Sequence, residues 1–473
     1  MRLFALFLIL ILATCAAAQS GRVIPADAPN PLGGPTAPVQ AVKQMFDEAN
    51  GYVRKKGTEF DAKKIAFSER LLAQTKIEQR QLAAKLAATA ATRTDLAGED
   101  FYYLGMLYWI AENLDGTSEN LLKFIVTENA DPARSQTARS IVVVIAAKQK
   151  RLDDAEKMLT AYLANDLKKL TERSRMEGEM AKAYQAQKDF IRMAPHADEG
   201  YAASKGLLKD AASRARGLDE ILDAGMLVYE AYRDIGNRQK AEAALDDMRA
   251  TAVATGSTSF YYYAIDQKIK YLVETGRKPS ALQLYKAAMA DVARDFPRKD
   301  LQEDVLTRLQ KREQHYKILG LPAPELPSID QWFPGKARTL AEMKGKVVIL
   351  DFWATWCGPC FDAFPDLIEW QQDFGADGLE IIGVTRYYGN VNDVAADNPT
   401  EIEYLKRVRR DEKLPYDIAV AKDQNAQFLY GATALPTAAI IDRKGIIRYI
   451  ETGTSATRQA DMRRMILKLL AEK

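Results

Sequence analysis

The strongest constraint in the chain is the stretch Leu350-Asp351-Phe352-Trp353-Ala354-Thr355-Trp356-Cys357-Gly358-Pro359-Cys360. The apolar run from Val347 to Phe352 reads as a buried strand, and a helical pattern begins after Cys357. Pro359 suits the first turn of that helix, because its φ is already fixed and it has no N–H to leave unpaired. Cys357 therefore falls at a helix N-terminus, where free backbone N–H groups and the positive end of the helix dipole favour the thiolate. Cys360 lies one turn further on, within reach of a mixed disulfide formed at Cys357. Gly358 lets a partner backbone come close. The pattern points to thiol chemistry, with Cys357 as the attacking group and Cys360 as the resolving one. A structural disulfide and half of a zinc site are the alternatives; zinc would need two further ligands.

Composition narrows the choice. At 473 residues the chain is too long for one core, so two or three folded units are expected. Lysine and arginine number 66 against 64 acidic residues, with no concentrated basic stripe, so nucleic acid is not expected as a partner. The third cysteine, Cys15, lies in the N-terminal apolar segment, and a chain that otherwise keeps only a CxxC fits an oxidising compartment, where stray thiols mispair. Only two histidines occur, His196 and His315, both in helical segments where they are expected to pack or meet water. Their scarcity argues against Ser-His or Cys-His hydrolysis and against a histidine-rich metal centre. No cofactor or metal is expected beyond the Cys357-Cys360 disulfide itself.

Read in order, residues 1–18 open with Arg2, run apolar from Leu3 to Ala13 and end in Ala16-Ala17-Ala18, the pattern of a secretory signal peptide. A rival reading takes Leu12-Ala13-Thr14-Cys15 as a lipoprotein box that attaches Cys15 to a membrane. Residues 19–38 are rich in proline and glycine and read as a disordered tether. Residues 39–319 form an α-helical domain by periodicity. Within it Gly236 to Ala241 with Leu245, and Gly276 to Ala281 with Tyr285, share one pattern. Lys150 to Ala155 with Leu159 fits the same pattern, and Asn113 to Ser118 with Leu122 fits it weakly. A copy near Gln187 to Ala197 is poor. These units resemble tetratricopeptide-type repeats; an irregular bundle is the alternative. Residues 320–327, with three prolines, form a linker, and 328–473 alternate strand and helix. There the pattern predicts strands at 346–353, 379–385, 417–421, 437–442 and 446–451. It predicts helices at 359–374, 401–411, 426–430 and 457–471.

A βαβ unit followed by a hairpin and a closing helix, carrying Trp356-Cys357-Gly358-Pro359-Cys360, resembles the thioredoxin fold. The lead-in Leu326-Pro327, Gly335 and Leu340 to Val348 resembles its extracytoplasmic TlpA/ResA branch. The expected architecture is thus an all-α helical-repeat domain followed by an α/β thioredoxin-fold domain. The resemblance implies that Asp351 takes the proton of the resolving thiol, and that Pro436 is cis and faces the cysteines, with Leu435 offering its backbone to a substrate strand. It also implies a lysine on the next strand beside the acid, a position that Gly383 occupies here. Pro365 matches a helix-kinking proline, Gly445 and Gly453 match turn glycines, and Trp353 and Trp356 pack under and beside the site. Arg386-Tyr387-Tyr388, at the strand end where ligands gather in open α/β sheets, reads as a solvated loop or as a segment that shapes partner choice, and Lys406 to Arg410 as a solvated helix face or a docking patch. The resemblance implies a periplasmic enzyme that reduces disulfides of client proteins and is recharged by a membrane or soluble electron donor, with the helical domain binding clients. A peroxide-reducing enzyme and a helical scaffold with an accessory redox domain are the alternatives.

Overall fold

The computed structural model describes residues 40–472; the segments expected as signal peptide and tether, with Cys15, lie outside the described residues. The chain forms two compact units that divide between Thr117 and Ser118. The first contains α1 (Val42–Ala62), α2 (Glu69–Ala91) and α3 (Glu99–Ile110). Ala83, Ala87 and Ala90 line one stripe of α2, and their small side chains let Val42, Met45, Tyr103 and Leu107 close on it. The division follows α3 and does not fall at the proline-rich 320–327.

Helix α4 (Leu114–Ile125) leads into the second unit, which continues with α5 (Pro132–Lys148), α6 (Leu152–Leu163), α7 (Leu170–Ala186), α8 (Phe190–Leu207) and α9 (Arg214–Ile235). Then come α10 (Arg238–Thr255), α11 (Thr258–Glu274), α12 (Lys278–Asp295), α13 (Lys299–Lys311) and α14 (Glu313–Ile318). One turn recurs before α4, α6, α8, α10 and α12. A residue with φ between 59° and 83° stands two positions before each of these helices: Glu112, Lys150, Lys188, Gly236 and Gly276. In every copy the next N–H donates to a carbonyl five residues back, at 2.7 to 3.0 Å, which closes the preceding helix. The fifth residue after the turn is buried each time: Thr117, Ala155, Met193, Ala241 and Ala281. The copy at Lys188 is therefore a full member. The weak copy runs one residue earlier than the sequence pattern placed it, since Leu121 is buried and Leu122 is exposed.

The rest of the second unit is a six-stranded sheet with strands β1 (Ile329–Phe333), β2 (Val347–Phe352), β3 (Leu379–Arg386), β6 (Asp417–Ala421), β7 (Thr437–Ile441) and β8 (Ile447–Thr452), in the order β1-β6-β3-β2-β7-β8. Between β3 and β6 lies a small hairpin, β4 (Asn390–Val391) and β5 (Val394–Ala395). The pairs β2/β3 and β3/β6 are parallel and the others antiparallel. Helices α15 (Gly358–Phe374), α16 (Asn398–Asp411) and α18 (Ala456–Ala471) supply the core on one face, and α17 (Asn425–Tyr430) on the other. The edge strand β1 had no counterpart in the sequence reading, and α16 starts earlier than expected.

Residues 320–327 are not a free linker. Gly320 and Ala323 donate backbone N–H bonds to Ile447 and Gly445, and Ile447 donates to Leu321. The segment thus pairs along the outer edge of β8. The helices pack on the same region: Gln314 donates to the Leu429 carbonyl, and His315 Nε2 meets the Gly431 carbonyl at 2.9 Å. Burial pushes the His315 imidazole down to about 4, so it is neutral there. Between α11, α14 and β8 lies a buried charge cluster. Asp266 binds Lys270 at 2.7 Å, Arg312 at 3.2 Å and the Tyr316 hydroxyl at 2.8 Å, while Glu451 binds Lys270 and, at 3.5 Å, Arg312. Arg464 and Lys468 of α18 both reach Glu274 of α11. Among the described residues no helix is long and apolar enough to cross a membrane.

Candidate active site

The all-buried run Val347–Phe352 places β2 at the centre of the sheet, and the chain leaves its C-terminal end to enter α15. Cys357 is the N-cap of α15, with Pro359 in its first turn. Cys357 and Cys360 form a disulfide, with Cα atoms 5.4 Å apart. Cys357 is 4 % exposed and Cys360 fully buried, so the first is the sulfur that an incoming group meets. No other atom lies within 4 Å of where a Gly358 side chain would stand, and Gly358 and Pro359 are both exposed. The mouth of the site is open there. Once reduced, Cys357 would sit against the unpaired N–H groups of the helix start, which favour its anion.

Leu435–Pro436 is a cis peptide, and Leu435 packs against the core cluster that contains both cysteines. Its loop is braced by Thr437, whose hydroxyl donates to the Ala434 carbonyl, and by Gly453, whose N–H donates to the Pro436 carbonyl at 2.7 Å. Gly453 adopts φ +84°, a region closed to most side chains. Pro365 lies inside α15 and is exposed.

Asp351 is 2 % exposed, and burial alone pushes its carboxyl up to about 7. In register it stands between Gly383 on β3 and Ala438 on β7. On the Ala438 side it borders a small cavity of about 30 Å³, walled by Ala363, Leu367, Pro436 and Met462. On the Gly383 side the space is taken: a side chain at 383 would come to 2.9 Å of the Trp353 indole nitrogen. A lysine at 383 would have to displace that indole.

Trp353 is fully buried against Phe361 and Phe364, whereas Trp356 is 58 % exposed beside Cys357. Trp356 leans on the segment that follows β3. Tyr388 meets it edge to face at 5.4 Å, and the Arg386 guanidinium stacks on Tyr388 at 4.0 Å. Gln427 ties the two together, accepting from Arg386 and donating to the Tyr388 hydroxyl. The Glu401 carboxylate accepts the N–H groups of Tyr388 and Gly389. Residues 386–388 are thus a fixed platform and not a solvated loop. The signal was available in the aromatic pair at a strand end, but not the anchors Glu401 and Gln427, which come from distant elements. His196, by contrast, lies far from this chemistry in sequence and ties helices together, with Glu177 at 2.6 Å and Glu156 at 3.0 Å. Lys406 and Arg410 pair with neighbouring acids, as a solvated helix face would.

Residues 320–450 match the AhpC/TSA family. The thioredoxin-like protein YneN of Bacillus subtilis (strain 168) is 31% identical over 134 residues, 27% of this chain and 69% of that protein. The thiol-disulfide oxidoreductase ResA of Bacillus thuringiensis subsp. konkukian (strain 97-27) is 32% identical over 145 residues, 31% of this chain and 73% of that one. This chain belongs to the ResA-like thioredoxin-fold thiol:disulfide oxidoreductases. The chain spans about two thirds of the length of the curated relatives it matches. Among solved structures, a thiol:disulfide interchange protein DsbE from Chlorobium tepidum is 28% identical, with 32% of this chain and 96% of that one covered, at a TM-score of 0.25. Among the described residues no group of three His, Cys, Asp or Glu side chains is placed to hold a metal ion.

Proposed function

We propose that this oxidoreductase reduces disulfides of client proteins outside the cytoplasm. The observation that carries the reading is the Cys357-Cys360 disulfide at a helix N-terminus, open to solvent at Trp356, Gly358 and Pro359. The reduced Cys357 thiolate attacks one sulfur of a client disulfide; the client S–S bond breaks, and its other sulfur leaves as a thiolate that takes a proton from water. Cys360 then passes its proton to the Asp351 carboxylate and bonds Cys357 Sγ. The mixed disulfide breaks, and the electron pair leaves on the second client sulfur. The client is reduced by two electrons and the pair is oxidised. Leu435 and the cis Pro436 would hold the client strand by its backbone. A membrane or soluble dithiol donor must reduce the pair again. The N-terminal apolar segment supports export to the periplasm, with lipid attachment at Cys15 as the other route, and the helical hairpins offer a surface for choosing clients.

The test is the two-electron reduction potential of the pair, by equilibration with glutathione or dithiothreitol buffers, with Cys360→Ser as control. A value near that of thioredoxin, about −270 mV, supports reduction; one near that of the oxidant DsbA, about −120 mV, reverses the direction. The family match brings a second reading, peroxide reduction. It requires a hydroxyl donor three residues before the reactive cysteine, and the fully buried Ala354 stands there. Hydrogen peroxide consumption at a rate rivalling disulfide reduction would favour it.

A further inference from the structure

On the face of the sheet that Asp351 shares, four buried polar atoms make no hydrogen bond: Asp351 Oδ2, the Trp353 indole nitrogen and the hydroxyls of Tyr416 and Tyr449. The Trp353 nitrogen and the Tyr416 ring border Gly383. That glycine is the register partner of Asp351, and a side chain built there would lie 2.9 Å from the Trp353 nitrogen and 3.5 Å from the Tyr416 ring. Tyr416 is 4 % exposed and Trp353 fully buried. The Tyr416 phenol is pushed well above its ordinary range by burial and by the nearby Asp351 charge, with Arg409 acting the other way. Leaving a buried donor unmade costs about 1–3 kcal/mol, so the arrangement calls for a state in which an acceptor arrives. Ionised Asp351 is that acceptor.

We propose that Tyr416 is the positioning residue of Asp351: when that carboxyl ionises, the two side chains shift into hydrogen-bonding distance and the Tyr416 hydroxyl donates to the carboxylate, in place of the lysine that position 383 lacks. The inference rests on the proposed role of Asp351 as the acceptor of the Cys360 proton. A neutral donor steadies the anion without drawing the acid far down, as a lysine would, and so leaves it able to take up and release a proton near neutrality. The other groups around the acid are Asp366 on α15 and Arg458 on α18, both lining the cavity beyond it. Arg458 is engaged by the Thr452 carbonyl and by Glu451.

The experiment uses the full chain, reduced, with an aromatic disulfide, dithiobis(nitrobenzoate), as probe. Release of the second thiol reports the attack of Cys360, and its rate is followed against pH. Tyr416→Phe is expected to move the acid limb of that profile upward by about half a pH unit, a roughly threefold slower release on the limb. Asp351→Asn should remove the limb, and the double variant should match Asp351→Asn. A Tyr416→Phe limb coincident with wild type, or a double variant slower than Asp351→Asn, overturns the proposal. If Asp351→Asn itself keeps the wild-type limb, the role of Asp351 fails instead. Should Tyr416→Phe not fold, 3-fluorotyrosine at position 416, a stronger donor, must move the limb downward, and an unmoved limb overturns the proposal.

Discussion

At the scale of single residues, Asp351 is the group whose environment contradicts its chemistry. A carboxyl held at about 7 by burial binds more protons in the folded chain than in the unfolded one throughout the interval from about pH 4 to pH 7. Its contribution to stability is therefore complete below pH 4 and lost as pH rises through 7. Replacing it with asparagine removes the penalty, so Asp351→Asn is expected to be more stable than wild type at pH 8 by a few kcal/mol and to lose that advantage at pH 4. Urea midpoints at the two pH values measure this, and equal differences at both would show that the carboxyl ionises freely in the fold. A stability gain joined to slower resolution would mark a position kept for chemistry at the cost of folding. Trp353 belongs to the same balance, since its indole fills the place next to Gly383 and keeps a counter-charge away.

At the scale of elements, the recurring turn makes an energetic claim. Glu112, Lys150 and Lys188 hold left-handed backbone that glycine holds at Gly236 and Gly276, and a side chain there costs roughly 1–2 kcal/mol. Lys188 is exposed, so Lys188→Gly is expected to stabilise the chain by about 1 kcal/mol, read from the urea midpoint. Gly236→Ala, with open space around the new methyl, should cost a similar amount through backbone strain alone. The same turn shows what was legible in the sequence. The copies at Lys150, Gly236 and Gly276 stood out through the alanine five residues on, whereas the copy at Lys188 was obscured because Met193 stands in that place. The strand and helix around Cys357 could be read almost to the residue, since an uninterrupted apolar run and a proline at the helix start leave little choice. The start of α16 was readable but overlooked: Asp397 accepts the N–H of Thr400, and Pro399 follows in the first turn. Strand β1 was not readable. Its burial follows no clean alternation, and only pairing with β6, some 85 residues away, as in the bond from Trp332 to Asp417, makes it a strand.

For the molecule as a whole, the sequence suggested two domains joined by a proline-rich linker, and local pattern had no means of showing that α11 and α14 bury charges against β8. Asp266, Glu451, Lys270 and Arg312 are each nearly inaccessible, and two negative charges are balanced by two positive ones. Burying them costs several kcal/mol per ion, and attraction within the cluster offsets this only while the count stays even. Lys270→Met is therefore expected to destabilise the second unit by about 3–5 kcal/mol, because Asp266 and Glu451 are left with one buried cation, Arg312, and the more exposed Arg458 at the edge of Glu451. Adding Glu451→Gln restores the balance and should recover most of the loss. The readout can follow both sides at once. With Trp109 of α3 replaced by phenylalanine, the remaining Trp332, Trp353, Trp356 and Trp370 report on the sheet by fluorescence, while circular dichroism is dominated by the helices. If the cluster fastens helices and sheet into one cooperative unit, both signals move to lower urea together in Lys270→Met and return together in the double variant. A fluorescence transition that stays in place while the dichroism shifts would mean that the sheet folds independently of the helices, and that the helices act on client choice only as a tethered neighbour.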